Sequence, residues 1–475
     1  MVTRRVLLTA GLSTVGAGLT GCGPRRSNAL VSPSSSQVAA AESARRPGPE
    51  HLVVLEASPT EVDLGGLTVP AWAYGGRLAG PALRLRAGEQ LVATVRNRLP
   101  AETTVHWHGV TLRNDADGVP HVTQEPIPAG GEFVYRFTVP APGTYWFHPH
   151  SGLQLDRGLS GPLIVDDPQE PLAYDHEWIV VLDDWLDRTP EAIYAELIRT
   201  GGRTGPGGMM GRGVMGTVAY PHHLINGRLP ADPDVLHARP GDRIRLRLIN
   251  AGGDTAYRVV LGGHRMTVTH TDGLPIRPVP ADTLLIGMGE RYDVLVTAAD
   301  GVFPLVALAD GKNGGGLALL RTGGGMPPPA GVRPGELGGL LPAYEQMKAD
   351  DKTALTDRDG ARTLRTRLTG GMMRFEWGFD GRVFDHDRVD LVLSAGERIR
   401  LEIANTTMMW HPVHLHGHSF AVGDPSGPRK DTVGVFPGRT VVLLFDADNP
   451  GRWMLHCHNA YHAEAGMMTL LGYRA

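Results

Sequence analysis

The sequence predicts an all-β chain built from three tandem sandwich domains. Three observations carry that prediction: an abundance of turn-forming residues, a strand pattern that recurs three times, and the spacing of those recurrences. Among 475 residues there are 63 Gly and 37 Pro, which favours short strands joined by turns over long helices. The recurring segments are Leu85–Asn97, Ala238–Asn250 and Leu393–Asn405. Each runs through a Gly and an acidic residue into alternating apolar positions and ends in Asn, the signature of a half-buried strand entered from a turn. Each is preceded by a Gly-Arg hairpin signal, at Gly76-Arg77, Gly227-Arg228 and Gly381-Arg382. A repeat of roughly 150 residues is too long for a solenoid and suits a whole sandwich domain.

The predicted organisation is an export signal over 1–21, a flexible tether over 22–49, a first domain over 50–169 and a second over 170–322. A Gly/Pro-rich, then charged, linker follows over 323–365, and a third domain over 366–475. A short helix is expected over Glu191–Thr200, followed by a Gly/Met loop over Gly201–Gly216. Hydrophobic residues make up 41% and charged residues 20%, as in ordinary globular proteins. With 46 Lys and Arg against 50 Asp and Glu, there is no basic stripe to bind nucleic acid.

The N-terminus reads as an address. Arg4-Arg5 precedes an apolar run, Val6 to Leu19, that is short for a membrane span, and paired arginines point to twin-arginine export. Leu19-Thr20-Gly21-Cys22 resembles a bacterial lipobox, which would make Cys22 the lipidated anchor of a membrane lipoprotein facing the periplasm or exterior. An uncleaved anchor or ordinary cleavage nearby is the alternative. The chain has two Cys, so no disulfide framework exists, and lipidation of Cys22 leaves Cys457 as a lone thiol that metal ligation would explain.

The repeat also locates the chemistry. Nine and eleven residues after Asn97 stand His106 and His108; the same steps from Asn405 reach His414 and His416, but from Asn250 reach Val259 and Leu261. Five and seven residues after Gly143 come His148 and His150, and after Gly451 come His456 and His458, whereas Gly301 leads to Val306 and Leu308. In a strand, residues i and i+2 share a face, so each His-x-His pair offers two imidazoles to one surface. Eight imidazoles on two pseudo-symmetric domains would converge if those domains packed face to face. The third domain adds His411, Cys457, His462 and Met467, where the first has Thr103, Pro149, Gln154 and Leu159. Two imidazoles, a thiolate and a weak thioether are the ligands of a blue-copper electron-transfer site. Cys457 lies between His456 and His458 and points to the opposite face, so a metal on its sulfur is joined by a short covalent path to metals on both neighbours.

Four segments now invite comparison: His106-Trp107-His108-Gly109, His148-Pro149-His150-Ser151, His411-Pro412-Val413-His414-Leu415-His416-Gly417, and His456-Cys457-His458 with His462 and Met467. They resemble, in order and intact, the four copper motifs of the multicopper oxidases, and the resemblance runs from about Leu52 to Ala475. Within that family the chain is most similar to lipoprotein-type actinobacterial copper-resistance oxidases, with Trp178–Trp185, His270-Thr271-Asp272-Gly273 and Thr406-Thr407-Met408-Met409 as supporting segments. The resemblance implies three cupredoxin-like Greek-key domains, the second without copper ligands, and four coppers per chain. It assigns a type 1 copper to His411, Cys457, His462 and Met467, a type 2 copper to His106 and His414, and a type 3 pair to His108, His148, His150, His416, His456 and His458. It further implies an enzyme that takes single electrons from a donor and reduces O2 to water with four of them.

The family places a carboxylate nine residues beyond the second His of the first motif, here Asp117, as a proton carrier; a plain turn aspartate is the alternative. A second carboxylate, directly after the last blue-copper His in some relatives, is replaced by Ala463, with Glu464 one residue off. For the donor, Met408 and Met409 stand just before His411, and thioethers suit Cu(I); core filling is the other use of methionine. The aspartate that some cuprous oxidases carry four residues before the blue-copper His is Thr407 here. Cu(I) in copper detoxification is the favoured donor, with phenols in a laccase-type oxidase as the alternative and a non-enzymatic copper-binding protein behind both. The expected assembly is a monomer.

Overall fold

The computed structural model describes residues 29–201 and 216–475. Their strands form six sheets, two for each predicted domain. In the first domain a sheet of Thr68–Tyr74, Glu50–Asp63, Gln90–Asn97 and Glu132–Thr138 faces one of Leu83–Arg86, Gly161–Asp166, Gly143–His148 and His106–His108. The second and third domains each set a six-stranded sheet against a five-stranded one. The fold is thus all-β and cupredoxin-like, in three tandem sandwiches.

The three recurring strands occupy equivalent places. Gln90–Asn97, Arg243–Asn250 and Arg398–Asn405 each pair in parallel with the first strand of their domain and antiparallel with a later one. The terminal Asn of each is a buried clamp. Asn97 Nδ2 donates to the carbonyls of Ala101 and Ile127, Asn250 Nδ2 to those of Thr255 and Ile286, and Asn405 Nδ2 to those of Met409 and Val435. Each Oδ1 accepts the backbone N–H two residues on, from Leu99, Gly252 and Thr407. Three hydrogen bonds of one side chain therefore pin the loop that leads into the next strand, and in the first and third domains that strand carries the histidines. The Gly-Arg signals mark tight hairpins: Asn226-Gly227 and Asp380-Gly381 all have positive φ, the two-residue geometry that matches strand twist.

The tether assignment is corrected from Ala29 onward. Leu30 bridges to Arg474, Val31 N–H donates to the Tyr473 carbonyl at 2.8 Å, and a helix spans Ser36–Ala44 under a Ser35 cap. Within the Ser/Ala-rich run that reads as flexible, the alanines are good helix formers, and the helix forms once Val38 finds a buried place. Glu42 accepts the Thr138 N–H at 2.7 Å and pairs with Arg45, which reaches Asn449 Oδ1 at 3.0 Å, so this segment straps the first domain to the third. The linker is corrected too, since the first strand of the third domain, Arg362–Gly371, begins inside it. Before that strand the linker packs on the second domain, with Ala349 bridged to Ile276 and Met347 buried. A helix at Pro190–Thr200 matches expectation. The export signal, Cys22 and the Gly/Met loop with Met209, Met210 and Met215 lie outside the described residues.

Candidate metal centre

The His-x-His strands meet in register. His106–His108 runs antiparallel to Gly143–His148, with His106 opposite His148; His411–Leu415 runs antiparallel to Arg452–Cys457, with His414 opposite His456. The two domains then face each other across a pseudo-twofold axis. His106 stacks on His416 with ring centroids 3.8 Å apart, and His108 stacks on His414 at 3.7 Å. Ligand nitrogens gather in three groups, the first two sharing His108: His106, His108 and His414; His108, His148 and His458; and His150, His416 and His456. Within each, one nitrogen per ring lies within 4.8 Å of the others.

Six of the eight rings are aimed by their other nitrogen. His106 Nδ1 donates to the Asp117 carbonyl, His414 Nδ1 to the Asp431 carbonyl, His148 Nδ1 to Pro149 and His456 Nδ1 to Cys457, all at 2.9 Å. His416 Nδ1 donates to Asp117 Oδ2 at 2.9 Å, and His108 Nε2 to Asp431 Oδ1 at 3.1 Å. What remains are inward nitrogens. His106 Nε2, His108 Nδ1, His148 Nε2, His414 Nε2 and both ring nitrogens of His458 are buried without a protein partner. His416 Nε2 and His456 Nε2 face each other at 3.1 Å, with His150 Nε2 at 3.5 Å from the latter. Burial, with the neighbouring imidazoles, holds His148, His416, His456 and His458 well below the usual histidine range, so they present lone pairs. Buried lone pairs converging without donors are what a metal-ligand set looks like, with the outer nitrogen fixing tautomer and direction.

The second centre lies on the other face of the Cys457 strand. Cys457 Sγ is 3.6 Å from His411 Nδ1 and 3.8 Å from His462 Nδ1, and those nitrogens are 3.2 Å apart. Met467 is fully buried beside them, its carbonyl accepting the Cys457 N–H. Burial pushes the Cys457 thiol up and His411 down to about 3. In the first domain the corresponding place holds a hydrogen bond, Thr103 Oγ1 to Gln154 Oε1 at 2.7 Å, which fills it without metal. A soft thiolate with two imidazoles and a thioether fits copper, as does the all-imidazole cluster behind it.

Asp117 is wholly buried and bonded to rings of both metal-bearing domains. Met408 and Met409 part company: Met408 is 63% exposed, while Met409 is packed in the core. Glu464 lies at the surface, lining a cavity of about 430 Å³ that also touches His150, His121, His386, Met454 and Met468. His222 pairs with Asp187, and buried His223 with the Tyr257 hydroxyl and the Asn313 carbonyl, both outside the centres. The roles of two residues were missed. Asp431 mirrors Asp117 across the pseudo-twofold, yet it stands fifteen residues after His416 where Asp117 stands nine after His108, so the repeat hides it. Thr407, which stands where some cuprous oxidases have an aspartate, accepts from His411 Nε2 at 2.8 Å and donates to Asn405 Oδ1 at 2.8 Å.

Comparison with known proteins agrees. Three multicopper oxidase family models match residues 56–170, 176–325 and 358–474. The multicopper oxidase MmcO of Mycobacterium tuberculosis is 46% identical, over 99% of this chain and 96% of its own. A copper resistance protein A homolog of Pseudomonas syringae pv. tomato is 32% identical over 86% and 90% of the two chains. The crystal structure of a multi-copper oxidase from Pseudomonas thermotolerans superposes with a TM-score of 0.70 at 30% identity, covering 89% of this chain and 99% of that one. The chain belongs to the multicopper oxidase family, as an oxygen-dependent oxidase of four coppers: one type 1, one type 2 and a type 3 pair.

Proposed function

We propose that the electron donor is Cu(I) and that the oxidase serves copper detoxification outside the cytoplasm. We assign His411, Cys457, His462 and Met467 to the type 1 copper and His106 and His414 to type 2. One type 3 copper takes His108, His148 and His458, the other His150, His416 and His456. When bound, these coppers supply one-electron acceptance from the donor and four-electron reduction of O2, for a balance of four Cu(I), O2 and four protons giving four Cu(II) and two waters. The chain's own work is to aim the imidazoles through their outer hydrogen bonds, to exclude water around Cys457, and to hold protons near the cluster at Asp117.

The observation that carries the donor is the pairing of a sealed type 1 site with an exposed thioether. His411 and His462 have no exposed surface, and the Trp377 ring lies 4.3 Å from that of His462 and 5.3 Å from that of His411, so a bulky ring cannot lie against either imidazole. Met408 stands at the surface next to Thr407, whose hydroxyl holds His411 Nε2. A thioether there suits a soft ion. The names of the relatives, one of them a copper resistance protein, support the same reading. Steady-state O2 uptake with Cu(I) against phenolic donors tests it: a higher kcat/KM for Cu(I) is expected, and preference for phenols would make the protein a laccase.

We further propose export and lipid anchoring at Cys22. Only Gly23–Asn28 separate Cys22 from Ala29, a reach of at most about 25 Å, so the anchored enzyme would lie close against the membrane. Cys22→Ala should release active enzyme; a variant still bound to membranes would favour an uncleaved anchor.

A further inference from the structure

The second domain carries no copper ligand, yet it buries charged residues against the trinuclear strands. Arg291, at the start of the strand Arg291–Thr297, is fully buried and grips all three domains. Its guanidinium forks onto Asp431, Nη1 to Oδ1 at 2.7 Å and Nη2 to Oδ2 at 2.6 Å, while Nε donates to the Thr144 carbonyl of the first domain and Nη1 to that of Gly289. Asp431 in turn receives His108 Nε2 on its carboxylate and His414 Nδ1 on its carbonyl. One residue thus aims a ring from each metal-bearing domain.

Asp272, from the His270-Thr271-Asp272-Gly273 segment, completes the mount. Its Oδ2 accepts the N–H groups of Asp431 and Thr432 at 3.0 Å each, and its Oδ1 accepts the Arg291 N–H at 2.9 Å. Lys430 Nζ lies 3.1 Å from Asp272 Oδ1 and from Glu290 Oε1, a cation shared by the two carboxylates. The space is reserved for the pair. A Cβ on Gly109, directly after His108, would come 2.3 Å from Arg291 Nη2 and 2.6 Å from Asp431 Oδ2. Asp117, the mirror of Asp431, faces His106 and His416 but no Arg or Lys within ion-pair distance among the described residues.

We propose that Arg291 is a positioning residue for O2 reduction: it locks Asp431, and through Asp431 it sets the mutual placement of His108 and His414, and so of the type 2 and type 3 coppers. The proposal rests on the ligand assignment above. It gives the ligand-free domain a part in the chemistry, as the rigid third party that fixes the seam between the other two.

The test uses copper-loaded Arg291→Lys and Arg291→Met, with the double variant Arg291→Met/Asp431→Asn, which removes both charges and so leaves no unpaired ion to block folding. The readouts are copper per chain, the blue type 1 absorption, the type 2 EPR hyperfine splitting, and the separate rates of anaerobic reduction and of reoxidation by O2. We expect four coppers, unchanged blue absorption and unchanged reduction, with an altered type 2 signal and reoxidation about 10–100-fold slower. Lys, which keeps charge but not the fork, should fall between. A double variant with wild-type type 2 signal and reoxidation would overturn the proposal while leaving the ligand assignment standing. A His108→Ala control that keeps all its copper would overturn the assignment, and this proposal with it.

Discussion

Asp117 of the first domain accepts a hydrogen bond from Nδ1 of His416 in the third, 2.9 Å away, while its own carbonyl accepts from His106. One buried carboxylate therefore spans the seam at which the oxygen chemistry takes place. Asp117→Asn keeps the size and an acceptor oxygen but removes the ionisable group. The expected outcome is full copper content with O2 reduction slowed about 10–100-fold. Reoxidation kinetics between about pH 5 and 8 check this; a wild-type rate throughout would return Asp117 to an ordinary turn aspartate.

Cys457→Ser should abolish the blue absorption and nearly all turnover, because a hydroxyl does not replace a thiolate on copper. The inward nitrogens of the trinuclear histidines are untouched by the change, so three coppers per chain should remain by metal analysis. Persistence of the intense blue band would remove Cys457 from the type 1 site.

The convergence of the histidines was legible because strand geometry writes them at i and i+2 and because two domains repeat the pattern: His106 and His108 announce His414 and His416. Asn97, Asn250 and Asn405 were legible as strand ends, though their clamp on the following loop shows only in three dimensions. Asp431 was hidden by an insertion that breaks the register with Asp117. Thr407 was legible only as a departure from the carboxylate of some cuprous oxidases, and its bond to His411 shows only in three dimensions. The helix Ser36–Ala44 was hidden because a Ser/Ala-rich run serves a tether and a helix equally, and only the burial of Val38 decides. Adjacent residues on a loop defeat pattern reading altogether, as Met408 and Met409 show by facing opposite ways.

That division makes the donor hypothesis separable. Met408→Leu removes an exposed thioether and should lower Cu(I) oxidation while leaving an organic donor unaffected. Met409→Leu exchanges similar volumes in the core, costs less than about 1.5 kcal/mol, and should alter neither rate. Paired kcat/KM values for the two donors decide it. Loss for both donors in Met408→Leu would indicate a general fault at the type 1 site, and loss for neither would remove Met408 from the donor path.

Deleting residues 29–46 tests the strap. Burial of the Val38 side chain and the bond from Thr138 to the Glu42 carboxylate each contribute about 1.5–3 kcal/mol. The truncated, copper-loaded enzyme should melt several degrees lower, and its third domain should become the easier to open by hydrogen exchange along Met468–Tyr473, which loses the contacts of Leu30 and Val31. An unchanged melting temperature would restore the whole segment to a tether.

The last expectation concerns pH and a histidine outside the copper centres. Burial, opposed only by the Asn313 carbonyl, pushes His223 down to about 4 from an ordinary value near 6.5. Between those values the unfolded chain binds a proton that the folded chain refuses, so stability rises with pH there and falls as pH drops. The His223 contribution is fully present above about pH 6.5 and is lost by about pH 4, at about 1.4 kcal/mol per pH unit and about 3 kcal/mol in all. His223→Gln cannot titrate and retains polar groups for Tyr257 and Asn313. It should therefore be less stable than the wild type at pH 7 but lose less on acidification, so the two melting curves converge as the pH approaches 4. Parallel slopes for the two proteins would show that the acid sensitivity belongs to other groups.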